Sequence, residues 1–290
     1  MKRMFVLALA LCVLASCLAA LAEGLSLPAN CIAPEENARV QLDLDGDGTA
    51  EAVSWAMLPG EYDTYLTLTV EPVGGASTTY WTDLLYGQVY IQDLDGDGRM
   101  EILLSGDVMS DDYYTWCLQY RDGALFEVLF PDSNRGRSGD GYFKYGYGQI
   151  TGITEYGIVD LTGSQDVLGT WMATRRVSLE STGRFEFGDN GLWERAAQAY
   201  DDEAWLWEHA ALTVKSPVPY IGDHGCDSGI LNPGEKILVY ATDKESEALF
   251  FTEDDITGIL SISRNIDQGW GWLVDGVPEE DCFETLFYAD

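Results

Sequence analysis

Two nine-residue segments of this chain are near copies of each other. Residues 43–51 read Asp-Leu-Asp-Gly-Asp-Gly-Thr-Ala-Glu, and residues 93–101 read Asp-Leu-Asp-Gly-Asp-Gly-Arg-Met-Glu. Seven of the nine positions agree, at an offset of 50 residues. A repeat of that period predicts an array of like structural units. Each copy follows an apolar, strand-like run (Val40, Leu42 and Leu44; Val89 and Ile91) and precedes another (Ala52-Val53; Ile102-Leu103-Leu104).

The spacing has a chemical meaning. Asp at positions one, three and five (Asp43, Asp45, Asp47; Asp93, Asp95, Asp97) turns three carboxylates toward one point, and the glycine at six lets the chain bend sharply. The backbone carbonyl at seven (Thr49 or Arg99) can then face inward, and Glu51 or Glu101 closes the far side. A flexible set of hard oxygen ligands suits calcium better than magnesium, so the expectation is two calcium sites. Four carboxylates this close repel one another without a cation, which argues against a plain Asp-Gly turn. The loops are not EF-hands. Position twelve, which needs a bidentate Glu, is Ser54 or Leu104, and the flanks alternate like strands instead of helices.

With their strand context, Asp43–Glu51 and Asp93–Glu101 resemble the calcium loops of FG-GAP/VCBS repeats. The resemblance implies a mainly β fold of propeller-blade-like repeats over residues 30–190, like the integrin-α propellers whose blades such loops stabilise. A third unit without metal is expected at Ile158–Ser164, which keeps an Asp-Leu and a later Gly but has Leu168 in place of the Glu. Closed propellers usually need at least four blades. Residues 30–190 have room for three or four, so closure of the ring stays open.

Beyond the repeats, residues 191–210 read as a partly helical linker, with Asp201-Asp202-Glu203 interrupting the helix. From 211 to 290 short strands and abrupt turns predict a small β-barrel or sandwich. Asn232-Pro233-Gly234-Glu235 before an apolar run, with a late Gly271-Trp272-Leu273, resembles bacterial Src-homology-3-like domains, some of which bind cell-wall material.

Composition bounds the partners. The chain carries 49 acidic against 16 basic side chains, a formal charge of −33. Such a surface repels phosphate and excludes nucleic acid as a natural partner. With 46 % hydrophobic residues there is ample material for a core, so the acidity does not mean disorder. The first 22 residues read as a signal peptide: Met1-Lys2-Arg3, an apolar run, and a small-residue end at Ala20-Leu21-Ala22. Leu14-Ala15-Ser16-Cys17 also resembles a lipobox, which would make Cys17 a lipid anchor. Both readings place the protein outside the cell or at its surface, and no later stretch is long and apolar enough to span a membrane.

Four cysteines lie beyond the signal segment, and they allow three pairings. Cys31–Cys117 and Cys226–Cys282 are the natural choice if each half folds by itself. Without a Cys-x-x-Cys pair, and with only His209 and His224 to assist, zinc is not indicated.

Catalytic chemistry is hard to find. Asp223-His224-Gly225-Cys226 are neighbours in sequence, whereas triads usually converge from distant segments. Arg135-Gly136-Arg137 reads as a solvated loop. Tyr113, Tyr114, Trp116, Tyr142, Tyr145 and Tyr147 could stack on sugars if exposed, though rings in β proteins more often fill cores or pair across strands. The reading is therefore a non-enzymatic, calcium-binding surface module for a protein, glycan or cell-wall ligand. The alternative is an exported hydrolase of glycans or cell wall with the repeats as support.

Overall fold

The computed structural model describes residues 27–60, 64–109, 112–131, 142–188, 191–196, 203–222, 227–266, 270–284 and 286–288. The expected signal segment, Arg135–Arg137 and Asp223–Cys226 lie outside those residues. The described residues are mainly β, with 60 % strand and 5 % helix in several antiparallel sheets.

The first sheet is a four-stranded meander of β1 (Arg39–Leu42), β2 (Glu51–Pro59), β3 (Thr64–Glu71) and β4 (Thr78–Thr82). Its alternation is clean. Leu66, Leu68 and Val70 of β3 are buried, while Tyr65, Thr67 and Thr69 point the other way. The second sheet repeats the plan with β5 (Tyr86–Gln92), β6 (Glu101–Met109), β7 (Asp112–Arg121) and β8 (Ala124–Val128). A short strand pair follows, β9 (Phe130–Pro131) with β10 (Tyr142–Phe143), and β11 (Tyr145–Tyr147) adds to the free half of the β7 edge.

The second sheet is covered on both faces, which explains the unbroken buried runs in β5, β6 and β7. Val89, Ile91, Ile102, Leu104, Trp116 and Leu118 pack on the first sheet. Tyr90, Leu103 and Cys117 pack the opposite way, against Val159, Leu161, Val177 and Leu179.

Those last residues belong to a third meander: β12 (Gln149–Ile153), β13 (Ile158–Asp166), β14 (Thr170–Glu180) and β15 (Arg184–Phe187). A third meander is therefore present, but the expected Ile158–Ser164 segment is not its first turn. Ile158–Ser164 lies within β13, paired along its length with β14, and the turn between the first two strands is Thr154–Gly157. Asp160-Leu161-Thr162-Gly163 has only one glycine and one Asp, too few to build the left-handed acidic loop of the other copies.

The same sheet continues through β16 (Trp193–Arg195) to β20 (Lys236–Thr242), β21 (Glu247–Thr252), β22 (Thr257–Arg264), β18 (Val218–Gly222) and β19 (Ser228–Leu231). β17 (Leu212–Val214) pairs with β20 and with β25 (Phe283–Glu284), and β23 (Trp272–Val274) with β22 and β24 (Val277–Pro278). This corrects the expected linker. Residues 191–210 do contain a helix, α1 (Glu203–His209), but Trp193–Arg195 is a strand hydrogen-bonded to β14 on one side and β20 on the other. The core crosses the expected boundary too. Val167, Trp171 and Ala173 cluster with Leu212, Val239, Phe250 and Trp272.

One face of β14 thus serves two cores, Trp171 and Ala173 in the last cluster and Val177 and Leu179 in the middle one. Arg175 sits between them, its guanidinium 3.9 Å from the Phe187 ring centroid and 4.8 Å from that of Trp193. Such stacking lets a planar cation lie among apolar neighbours.

The expected Cys31–Cys117 bridge is not formed, and Cys31, Cys117 and Cys282 are free thiols. Ile32 bridges to Ile91 on the outer edge of β5, and Cys117 lies on β7, beyond β6. Three strand spacings amount to about 14 Å, well past the reach of a disulfide.

Candidate metal centre

Each acidic segment forms the first turn of its meander, between β1 and β2 and between β5 and β6. Both fold alike because the glycines permit it: Gly46 and Gly48 have φ of 75° and 88°, and Gly96 and Gly98 75° and 86°. The first Asp organises the turn. Asp43 Oδ1 accepts from Gly46 N–H and Oδ2 from Gly48 N–H, both at 2.9 Å. Asp93 does the same for Gly96 and Gly98, at 2.8 and 3.0 Å.

The closing glutamates begin β2 and β6 and reach back into the loops. Glu51 Oε2 accepts from Leu44 N–H at 2.9 Å, and Glu101 Oε2 from Leu94 N–H at 2.8 Å. Both are buried, Glu101 with no exposure at all, and Glu101 Oε1 also accepts from Gln119 Nε2 at 2.7 Å. Burial pushes the Glu101 carboxyl up to about 7, the two hydrogen bonds partly offset this, and Asp95 and Asp97 raise it further. Glu51 is raised as well, first by burial and then by Asp45 and Asp47. Asp95 is raised by burial and by its neighbours Asp97 and Asp93.

Three carboxylates converge in each loop. One oxygen from each of Asp43, Asp45 and Glu51 lies within 4.8 Å of the others, and Asp93, Asp95 and Glu101 match them. The remaining expected ligands are placed differently. Asp47 and Asp97 fall outside these triads, and their Oδ1 atoms accept from the N–H groups of Thr49 and Arg99 at 2.7 and 2.9 Å. Arg99 also turns its Nε onto Asp97 Oδ2 at 3.1 Å, so the second loop partly neutralises its own fifth position.

The donor set is all oxygen and strongly anionic. Opposite ligands of a calcium ion with bonds near 2.4 Å stand about 5 Å apart, which the spacing of each triad accommodates. Asp43, Asp45 and Glu51, and their counterparts, are the residues that could hold such an ion.

The loops also touch. Met100 N–H donates to Leu44 C=O at 2.9 Å, and a Cβ at Gly46 would lie 3.1 Å from Gly98 O. The third meander closes against the second loop, where a Cβ at Gly157 would meet Leu94 O at 1.8 Å and Gln92 Nε2 donates to Thr154 O at 2.9 Å. Two acidic loops and one plain turn therefore lie in a row, the second acidic loop in the middle. The sequence reading missed this row and the Gln119 contact. The obligatory glycine at 157, after a strand and before Ile158, was the available signal.

Among the described residues the other candidates gather into no catalytic arrangement. His209 stacks on Trp205 with ring centroids 4.9 Å apart. Both border a groove of about 260 Å³ lined also by Trp171, Arg195 and Phe287, and among the described residues its lining includes no Asp or Glu. Tyr114, Trp116, Tyr145 and Tyr147 pack on one another, with Tyr114 edge-on to Tyr145 at 4.7 Å and to Tyr147 at 5.7 Å. Among the described residues no helix is long and apolar enough to cross a membrane.

Comparison with known proteins gave no matching family model, no matching curated relative and no matching solved structure.

Proposed function

We propose that this chain is an exported, non-enzymatic binding module whose stacked β-meanders are FG-GAP/VCBS-like blades stiffened by two calcium ions. The observation that carries the reading is the recurrence of one carboxylate triad at the same turn of two consecutive meanders. Each buried glutamate caps a loop N–H and brings its charge beside two aspartates, a concentration of like charge that a cation would neutralise. Asp43, Asp45 and Glu51 hold the first ion and Asp93, Asp95 and Glu101 the second. Asp47 and Asp97, with the carbonyls of Thr49 and Arg99, complete the shells once the ions order the loops. Extracellular modules bind calcium with constants of about 10⁻⁴–10⁻³ M, suited to an exported protein. At ten times its constant each ion adds about 1.4 kcal/mol of stability.

The test is thermal unfolding of the protein with millimolar calcium and with chelator. Calcium should raise Tm by several degrees and chelator should reverse the gain. In the variant carrying both Asp45→Ala and Asp95→Ala the two curves should coincide. Identical curves for the unaltered protein would overturn the reading.

A further inference from the structure

We infer that the outward face of the first sheet is a docking platform for a neutral polysaccharide. This rests on the binding-module reading and names its partner, but it does not depend on the calcium ions.

The inward side of β1–β4 is committed to the core, and the outward side forms cross-strand rows fixed by the register. Leu58 lies opposite Tyr65; Ala56, Thr67 and Trp81 form the next row; Ser54, Thr69 and Thr79 the one after. Trp81 is 65 % exposed on the edge strand β4, where it pairs with Thr67 of β3. Burial would be the normal fate of that much apolar area, so an exposed indole on a rigid strand marks a contact surface. Its orientation is set by Tyr65, whose ring meets it edge-on at 6.1 Å and 87°. Around the two rings stand the hydroxyls of Thr67, Thr69, Thr79 and Ser54.

That mixture matches one ligand chemistry. A pyranose ring presents C–H groups on its face and hydroxyls at its rim. The face stacks on an aromatic ring, and the rim exchanges hydrogen bonds with side-chain hydroxyls. Four rises along β3, from Tyr65 to Thr69, give the platform a length of about 13 Å, enough for a short run of sugar rings.

Charge selects among sugars and against other occupants. Arg39 Nη2 lies 2.6 Å from Glu71 Oε2, so the charged pair at the margin of this face cancels itself. The chain as a whole carries −33, which repels uronic-acid polymers, nucleic acid and a second copy of this chain. A neutral glycan meets no such barrier.

Affinity electrophoresis of the full chain through gels containing hydroxyethylcellulose, galactomannan or dextran tests the inference. Carboxymethylcellulose serves as the acidic counterpart, and each gel is run with calcium and with chelator. Retardation by at least one neutral polymer is expected, weaker in the acidic gel. Trp81→Ala and Tyr65→Ala should each weaken it by about tenfold. Trp270→Ala, which removes an equally exposed indole elsewhere, should not. No retardation by any neutral polymer, or retardation undiminished by both platform variants while they melt like the unaltered protein, would overturn the inference. Retardation that persists in a protein whose Tm ignores calcium would refute the metal reading and leave the platform standing. Calcium-dependent melting without retardation would do the reverse.

Discussion

The backbone N–H of Met100 donates to the carbonyl of Leu44 at 2.9 Å, and through this bond the second acidic loop is tied to the first. Residues 56 positions apart thereby report on each other's turn. Glycine substitutions separate the interloop contact from simple backbone strain. Gly46 and Gly48 both have positive φ, so either change to alanine should cost about 1 kcal/mol. Only the Gly46 Cβ would press on Gly98 O, whereas nothing lies within 4 Å of one at Gly48. In urea titrations Gly46→Ala should therefore be the more destabilising, and equal midpoints would rule out tight packing between the loops.

If the second triad holds calcium as proposed, the raised Glu101 carboxyl makes that binding depend on pH. Its pKa of about 7 in the folded protein lies above the ordinary value of 4.5, so the folded state holds the proton more tightly. The resulting stability of the metal-free protein is full below the ordinary carboxylate range and is lost as pH rises toward about 7. Calcium requires the carboxylate, so its affinity should climb over the same interval and level off above it, with release of up to one proton. Calorimetric titrations in two buffers of different ionisation enthalpy would reveal that proton, and Glu101→Gln should abolish its release.

Gly157 faces a harder constraint than the loop glycines. It has φ of 77°, and a Cβ there would sit 1.8 Å from Leu94 O, a backbone atom with no freedom to swing away. Gly157→Ala must part the third meander from the second loop. A loss of about 3 kcal/mol or more is expected in chemical denaturation. Gly123→Ala, at a positive-φ turn with nothing within 4 Å, should lose only about 1 kcal/mol.

The C-terminal residues are fastened by side chains that composition alone would class as surface. Glu279 is buried, accepts from Trp272 N–H at 2.9 Å and takes the Tyr288 hydroxyl as a second donor. Phe287 C=O meanwhile receives Thr170 N–H at 2.7 Å. Tyr288→Phe should cost about 1–2 kcal/mol, because it removes a donor from a buried carboxylate. Because burial raises the Glu279 carboxyl, the folded state again favours the proton. Glu279→Gln should therefore flatten part of the decline in stability as pH rises above the carboxylate range, a trend readable from melts across pH.

Thiol chemistry checks the strand order. With Cys31 and Cys117 three strand spacings apart, peptide mapping of the unreduced protein should find no bridge between them. Burial pushes the Cys31 thiol up to about 11 and also raises that of Cys117, so both should react slowly with disulfide reagents until the protein is unfolded. A Cys31–Cys117 cross-link would mean the second sheet is ordered differently.

The acidic loops were legible because their information is local. Asp and Gly at fixed spacing dictate where the chain bends and which oxygens turn inward, and the alternation in residues 65–70 dictates a strand with one apolar face. A degenerate copy carries no such instruction. Asp160-Leu161-Thr162 resembles the motif, yet the apolar alternation of Val159, Leu161 and the partners offered by β12 and β14 draw it into a strand. The linker failed for a related reason. Trp193-Glu194-Arg195 is too short to announce itself as a strand, and only the open edges of β14 and β20 make it one.

By itself, then, the sequence determined the β character, the two turns with their carboxylates and glycines, and the excess of negative charge, each a property of neighbouring residues. Only the tertiary structure decided which side chains those turns meet. It brought Gly46 to Gly98 and Gly157 to Leu94, kept Cys31 from Cys117, and left Trp81 facing outward. Such contacts depend on which sheet face packs against which, and that is settled by burying apolar area across the whole chain, a sum that no local motif contains.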